Sequence, residues 1–272
     1  MKKSINLWIQ PAGMSLDKCL DIIKDAEFNA VEPNISEEDY LSLKSSEKDI
    51  ESLRKKIEGK GLEIASVSSG LLWQYPLSSP DKEIRNKGEK VIEKALKSAK
   101  ILGTDAILVV PGIVNEDTDY DDCYRRSQES LKKVAETAEE TGVYIGIENV
   151  WNKFLLSPLE MKRFVEEIGS KYIGVYFDVG NVLVNGYPEM WIKILGKMIK
   201  RIHLKDFKTS VGNITGFCEL LEGDVNWPKV IEALNKIGYN EYLTAELGPY
   251  KFYSETIIYN TSLSMDKILN KK

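Results

Sequence analysis

Eight short, nearly uninterrupted apolar runs alternate with longer amphipathic stretches along the chain, and this alternation limits its fold more than any other feature. The runs are INLWIQ (5–10), AVEP (30–33), LEIASVS (62–68), AILVVPG (106–112), VYIGIEN (143–149), YIGVYFD (172–178), RIHLKD (201–206) and YLTAEL (242–247). Most are rich in Val and Ile and lack polar alternation, as expected of parallel strands covered on both faces. The intervening stretches carry helix punctuation. Ser15 is placed to cap the first, Pro158 and Pro228 stand at first-turn positions, and several stretches end in Gly before the next apolar run. The segment around 187–197 has the weakest helical pattern. Eight such units in 272 residues predict an α/β fold, a (β/α)8 barrel in a single domain spanning 1–272. A doubly wound open sheet is the competing arrangement, but no GxGxxG follows the first strand and no P-loop occurs.

Charge and apolar length then exclude whole classes of function. The formal net charge is −5 and no basic stripe or arm is present, which argues against a nucleic-acid partner. The apolar run after Met1 is too short for a signal-peptide core, and no run has membrane length. Cys19, Cys123 and Cys218 are scattered and odd in number, so neither a disulfide framework nor a cysteine-based zinc site is expected. A reducing cytoplasm fits that pattern.

In a barrel of this kind, catalytic side chains gather where strands end. The fifth strand ends in GIEN with Glu148, the sixth in YFDVGN with Asp178, and the eighth in TAELG with Glu246. The seventh carries HLKD with His203, the only histidine in the chain. Alternation along a strand puts Gly146 with Glu148, Tyr176 with Asp178, and Thr244 with Glu246 on one face. The opposite faces, Ile145/Ile147, Val175/Phe177 and Leu243/Ala245, suit a helix layer. Arg201 shares parity with His203, so it should point inward unless a bulge intervenes or it pairs at the barrel floor. Three carboxylates and one imidazole suit a divalent ion, Mn2+ first, with Mg2+, Co2+ or Zn2+ open. Taken singly, a lone histidine is more often a structural or surface residue than a ligand, and a Glu after a strand is usually a loop charge or a helix N-terminal residue. DVGN in particular can be a turn in which Gly180 and Asn181 supply unusual backbone angles.

IGIENVWNKF, VYFDVGN, RIHLKDF, LLEGDVNWPKVIEALNKIGY and YLTAEL together resemble the xylose isomerase-like TIM barrels, the sugar phosphate isomerase/epimerase superfamily. The resemblance covers nearly the whole chain and looks closest to the L-xylulose 5-phosphate 3-epimerase branch. It implies that Glu148, Asp178, His203 and Glu246 hold one divalent metal ion. It also implies 3-epimerisation of a ketose or ketose phosphate through a metal-stabilised cis-enediolate. Glu148 and Glu246 would then be the catalytic acid and base, one removing the proton and the other returning it from the opposite face. Asn181, Lys205, Trp151 and Asn152 are the candidate substrate-binding residues, and homo-oligomerisation is expected from related barrels.

Two departures set this chain apart from the members that act on free ketoses. ENVWNKFLL places Lys153 where those enzymes have Arg, and Leu155 where a second Glu would fall. Asn181 stands in place of a histidine. Aldose–ketose isomerisation, and lyase or dehydratase chemistry on a keto-sugar or inosose, use similar ligands and stay open. Endonuclease IV-type repair barrels of the same superfamily need several histidines, and this chain has one. Trp8 and Trp73 follow strand ends and can line a sugar-stacking wall. Trp191 and Trp227 read as helix-packing residues. LEGDVNW (221–227) reads either as a loop closing over the site or as a cap for the next helix, with Asn226 as N-cap.

Overall fold

The computed structural model describes residues 1–270. Eight strands form one sheet: β1 Lys2–Asn6, β2 Ala30–Glu32, β3 Glu63–Ile64, β4 Ala106–Val109, β5 Tyr144–Glu148, β6 Ile173–Asp178, β7 Ile199–Leu204 and β8 Tyr242–Ala245. Their order is β3-β2-β1-β8-β7-β6-β5-β4, with every pair parallel. A parallel bridge between Val67 and Ile107 joins the two ends, with Val67 N donating to Ala106 O at 3.1 Å and Leu108 N to Val67 O at 2.9 Å. The sheet therefore closes into a ring.

Helices α1 Leu16–Asp25, α2 Glu47–Gly59, α3 Lys82–Leu102, α4 Tyr120–Thr141, α5 Pro158–Ile168, α6 Pro188–Leu195, α7 Trp227–Ile237 and α8 Thr256–Ile268 follow the strands in turn. Ser15 caps α1 by accepting the Lys18 N–H, and Pro158 and Pro228 lie in the first turns of α5 and α7. Ile145, Ile147, Val175, Phe177, Leu243 and Ala245 are all fully buried. Each large side chain of this kind contributes about 1.5–3 kcal/mol by leaving water. Among the described residues no helix is long and apolar enough to cross a membrane.

Two local readings of the sequence shift. The first strand is Lys2–Asn6 rather than 5–10, because the Asn6 side chain accepts the Trp8 N–H at 2.8 Å and turns Leu7–Ile9 into a 3-10 helix. Lys3 belongs to that strand because its ammonium is buried against α8, donating to Ser262 Oγ and Asp266 Oδ2, both at 2.8 Å. The 62–68 run is divided. Glu63–Ile64 pairs with β2, Val67 bridges to β4, and Ser68–Ser69 forms a short parallel pair with Asn34–Ile35.

Arg201 points to the barrel floor. A register shift at Val175/Tyr176 brings Tyr176 opposite Arg201 and Asp178 opposite His203. The Arg201 guanidinium donates to Ala65 O at 2.7 Å and pairs with Asp105, just before β4. The rim positions above it are left to the chemistry.

Candidate metal centre

Strands β5 to β8 deliver Glu148, Asp178, His203 and Glu246 to one end of the barrel. One ligand atom from each lies within 4.8 Å of the others. Atoms each about 2.0–2.4 Å from a shared ion fall within such a span. His203 and Asp178 are fully buried, and Glu148 nearly so. His203 Nδ1 is 2.7 Å from Glu246 Oε2 and 3.8 Å from Glu148 Oε1.

Close approach depends on two glycines. A Cβ on Gly146 would stand 2.9 Å from Tyr176 Cβ, so this glycine admits the Tyr176 ring to the barrel interior. A Cβ on Gly180 would stand 2.6 Å from Lys205 Cβ and 2.9 Å from the Lys205 carbonyl oxygen. Neither Gly180 nor Asn181 has a positive φ. DVGN thus needs its glycine for proximity to β7, which corrects the expectation of unusual turn angles.

The candidate ligand carboxylates are held by their neighbours. Asn149 donates to Asp178 O and accepts the Asp178 N–H, both at 2.8 Å, fastening β5 to β6. The Asn181 N–H donates to Asp178 Oδ1 at 2.7 Å, and Oδ2 is left facing the cluster. Lys205 Nζ lies 3.0 Å from Asp178 Oδ2 and 2.6 Å from Glu246 Oε2.

The other candidate binding residues serve the rim in different ways. The Asn152 amide donates to Gly112 O at 2.7 Å, and the Asn181 amide to Asn149 O at 3.0 Å. Both amides are therefore committed to backbone. Trp151 donates to Asn181 O at 2.9 Å and packs against Phe207 and Phe217. Trp8 and Trp73 are more than two-fifths exposed beside strand ends, while Trp191 and Trp227 are buried. LEGDVNW is a pinned capping segment. Asp206 Oδ1 accepts from Val225 N at 3.1 Å, and its Oδ2 accepts from Leu221 N and Trp227 Nε1, both at 3.0 Å. Asn226 caps α7.

Glu32 was not legible as a site residue. It ends β2 inside the barrel, fully buried, with Oε2 2.7 Å from His203 Nε2. Read alone, AVEP offers only a glutamate before a proline. The available signal was parity, since Glu32 lies on the face opposite Val31 in a strand covered on both sides.

The electrostatics are those of a cation site. Four carboxylates, Glu32, Glu148, Asp178 and Glu246, face one ammonium and one imidazole in a largely dry space. Burial holds the Glu148 and Asp178 carboxyls above their ordinary range. Burial also acts on Glu246, but Lys205 and His203 outweigh it and hold that carboxyl well down. Burial would lower the His203 imidazole, yet Glu32 and Glu246 raise it far above its usual value. Asp178 Oδ2, His203 Nδ1 and Glu246 Oε2 are buried without a partner at hydrogen-bonding angles, although charged neighbours crowd them. Such converging, unsatisfied donor atoms fit a divalent ion.

A closed parallel barrel with a carboxylate-rich, metal-competent rim defines the class. The profile of the Xylose isomerase-like TIM barrel family matches residues 20–263, and the chain belongs to that family. It is 25% identical over 265 residues to L-ribulose-5-phosphate 3-epimerase UlaE of Escherichia coli K12, covering 94% of this chain and 90% of that one. It is 26% identical over 265 residues to the L-ribulose 3-epimerase of Mesorhizobium japonicum, covering 94% and 82%. The solved structure of IOLI protein with a bound zinc atom superposes with a TM-score of 0.81 at 18% identity, covering 100% of this chain and 99% of that one.

Proposed function

We propose that this chain is a divalent-metal-dependent sugar epimerase that inverts C3 of a ketose or ketose phosphate. The observation that carries the reading is the convergence of Glu148, Asp178, His203 and Glu246, with the two glutamates on the outer strands of the four-strand arc. Sugar 3-epimerase relatives over nearly the full chain support it.

All four residues would hold the ion, Mn2+ being the first choice for a carboxylate-rich set. When bound, it would supply Lewis acidity that makes the C–H beside a ketose carbonyl easier to ionise. The chain's own residues do the rest. Glu148 and Glu246 approach from different strands, so one carboxylate takes the C3 proton and the other returns one to the opposite face. Lys205 keeps positive charge beside Asp178 and Glu246. Trp8 and Trp73 offer exposed aromatic faces for the carbon chain of a sugar.

The test is product analysis. The Mn2+-loaded protein is incubated with paired ketoses and their 5-phosphates, and the C3 epimers are resolved by chromatography. Formation of a C3 epimer, abolished by Glu148→Gln or Glu246→Gln, is expected. Aldose formation alone, or loss of a hydroxyl as water, would replace this reading with isomerase or dehydratase chemistry.

A further inference from the structure

We propose that Glu32 is the positioning residue of the metal centre: it accepts the Nε2–H of His203 and so fixes the tautomer that turns a bare Nδ1 toward Glu148, Asp178 and Glu246. This extends the metal-centre reading above and rests on it.

The argument is a hydrogen-bond inventory. Glu32 is fully buried, and four donors surround its carboxylate. Oε1 accepts from Ser66 Oγ and Tyr176 OH, both at 2.6 Å. Oε2 accepts from Asn6 Nδ2 at 2.5 Å and lies 2.7 Å from His203 Nε2. An ionised carboxylate only accepts. A bare Nε2 at that distance would set two lone pairs against each other, so Nε2 must carry the hydrogen. When a cation, rather than a second proton, sits on the other side of the ring, the free lone pair is on Nδ1, the atom that faces the other carboxylates and lacks a partner at hydrogen-bonding angles.

The carboxylate is itself immobilised. Asn6 also bonds to Ser68 Oγ at 3.1 Å and receives the Asn34 amide at 3.0 Å, so strand β1 and the segments after β2 and β3 brace it. The Tyr176 ring lies 4.5 Å from the imidazole, centroid to centroid, and limits its rotation. Strands that supply no metal ligand thus orient one supplied by β7. Carboxylates that orient metal-bound histidines in this way sharpen ligand geometry and raise ligand basicity.

Because the chain has one histidine, 15N-histidine labelling gives the signals of a single imidazole. The probe is Zn2+, which is diamagnetic. Long-range 1H–15N spectra of the zinc-loaded wild type should show a protonated Nε2 and a ligated Nδ1. Glu32→Gln should raise the zinc Kd about 10–100-fold in chelator competition, with the Nδ1–H tautomer appearing when zinc is withdrawn. A zinc-loaded wild type with protonated Nδ1, or a folded Glu32→Gln protein whose Kd stays within about twofold of wild type, would overturn the role of Glu32. If Glu32→Gln fails to fold, the wild-type spectrum alone decides. Tyr176→Phe removes a donor from Oε1 and leaves the Nε2 contact in place, so the Nε2–H signal should persist; its loss would count against Glu32. A wild type that takes up no zinc would overturn the metal centre itself, a failure distinct from zinc uptake with the other tautomer.

Discussion

Lys205 Nζ stands 2.6 Å from Glu246 Oε2 and reaches Asp178 Oδ2 from the same position. The ammonium is largely buried and shares its carboxylates with the candidate ion. Lys205→Met would leave those carboxylates facing each other. Breaking a buried pair costs about 3–5 kcal/mol, so the metal-stripped variant should unfold at markedly lower denaturant. Saturating Mn2+ should recover much of the loss, about 2.7 kcal/mol at a hundredfold excess over Kd. Urea titrations with chelator and with Mn2+ check this. An equal loss with and without metal would separate Lys205 from the ion's carboxylates.

Gly180 gives a steric test of the same rim. A methyl group there meets Lys205 Cβ and backbone at 2.6–2.9 Å, and neither can retreat far from β7. Gly180→Ala should cost about 1–3 kcal/mol, as overpacking does, and should also weaken metal binding by displacing the end of β7. Thermal denaturation and metal titration measure both effects. A variant with wild-type stability would show that the two segments separate freely.

The loop after β7 depends on a buried carboxylate. Asp206 accepts from three backbone N–H groups, those of Phe207, Leu221 and Val225, and from the Trp227 indole. Asp206→Ala should cost about 2–4 kcal/mol, since buried donors to a charged acceptor lose their partner. Limited proteolysis should then cut within 219–226 while leaving the barrel intact. Unchanged proteolysis would place the loop's order elsewhere.

The thiols predict a pH dependence. Burial pushes Cys19 up to about 12, and Cys123 and Cys218 up to about 11. A free thiol ionises near pH 8.5. The unfolded chain therefore loses these protons first. The stability from neutral thiols is complete below about pH 8.5 and falls as pH rises toward 11–12. Native Cys19 and Cys123, both fully buried, should resist iodoacetamide at pH 8 and be modified only after denaturation. Rapid native labelling at Cys19 would contradict its burial.

What the sequence made legible follows the range of the forces involved. The strands β4 to β8 and their helices were readable because covering a parallel strand on both faces leaves an apolar run of its own length. The clustering of Glu148, Asp178, His203 and Glu246 was readable because each lies at or near the end of such a run. Lys3 hid the start of β1, since its partners Ser262 and Asp266 are remote in sequence and a lysine reads as solvated. Glu32 was hidden for the same reason. Its partner His203 is 171 residues away, and parity along a three-residue strand is the one local sign that separates a buried carboxylate with four donors from a loop charge. Asn152 and Asn181 lie in the expected loops, but which acceptor each amide takes depends on backbone from another strand.

The most direct test of the central claim is solvent-deuterium incorporation. The Mn2+-loaded protein would be incubated in D2O with ketoses and ketose phosphates, quenched by chelation, and the label located by NMR and mass spectrometry. Deuterium at C3 in both epimers, absent with Glu148→Gln or Glu246→Gln, is the predicted result. Deuterium confined to C1 or C2, or epimerised product with no deuterium at C3, would contradict proton exchange at C3 between two glutamates.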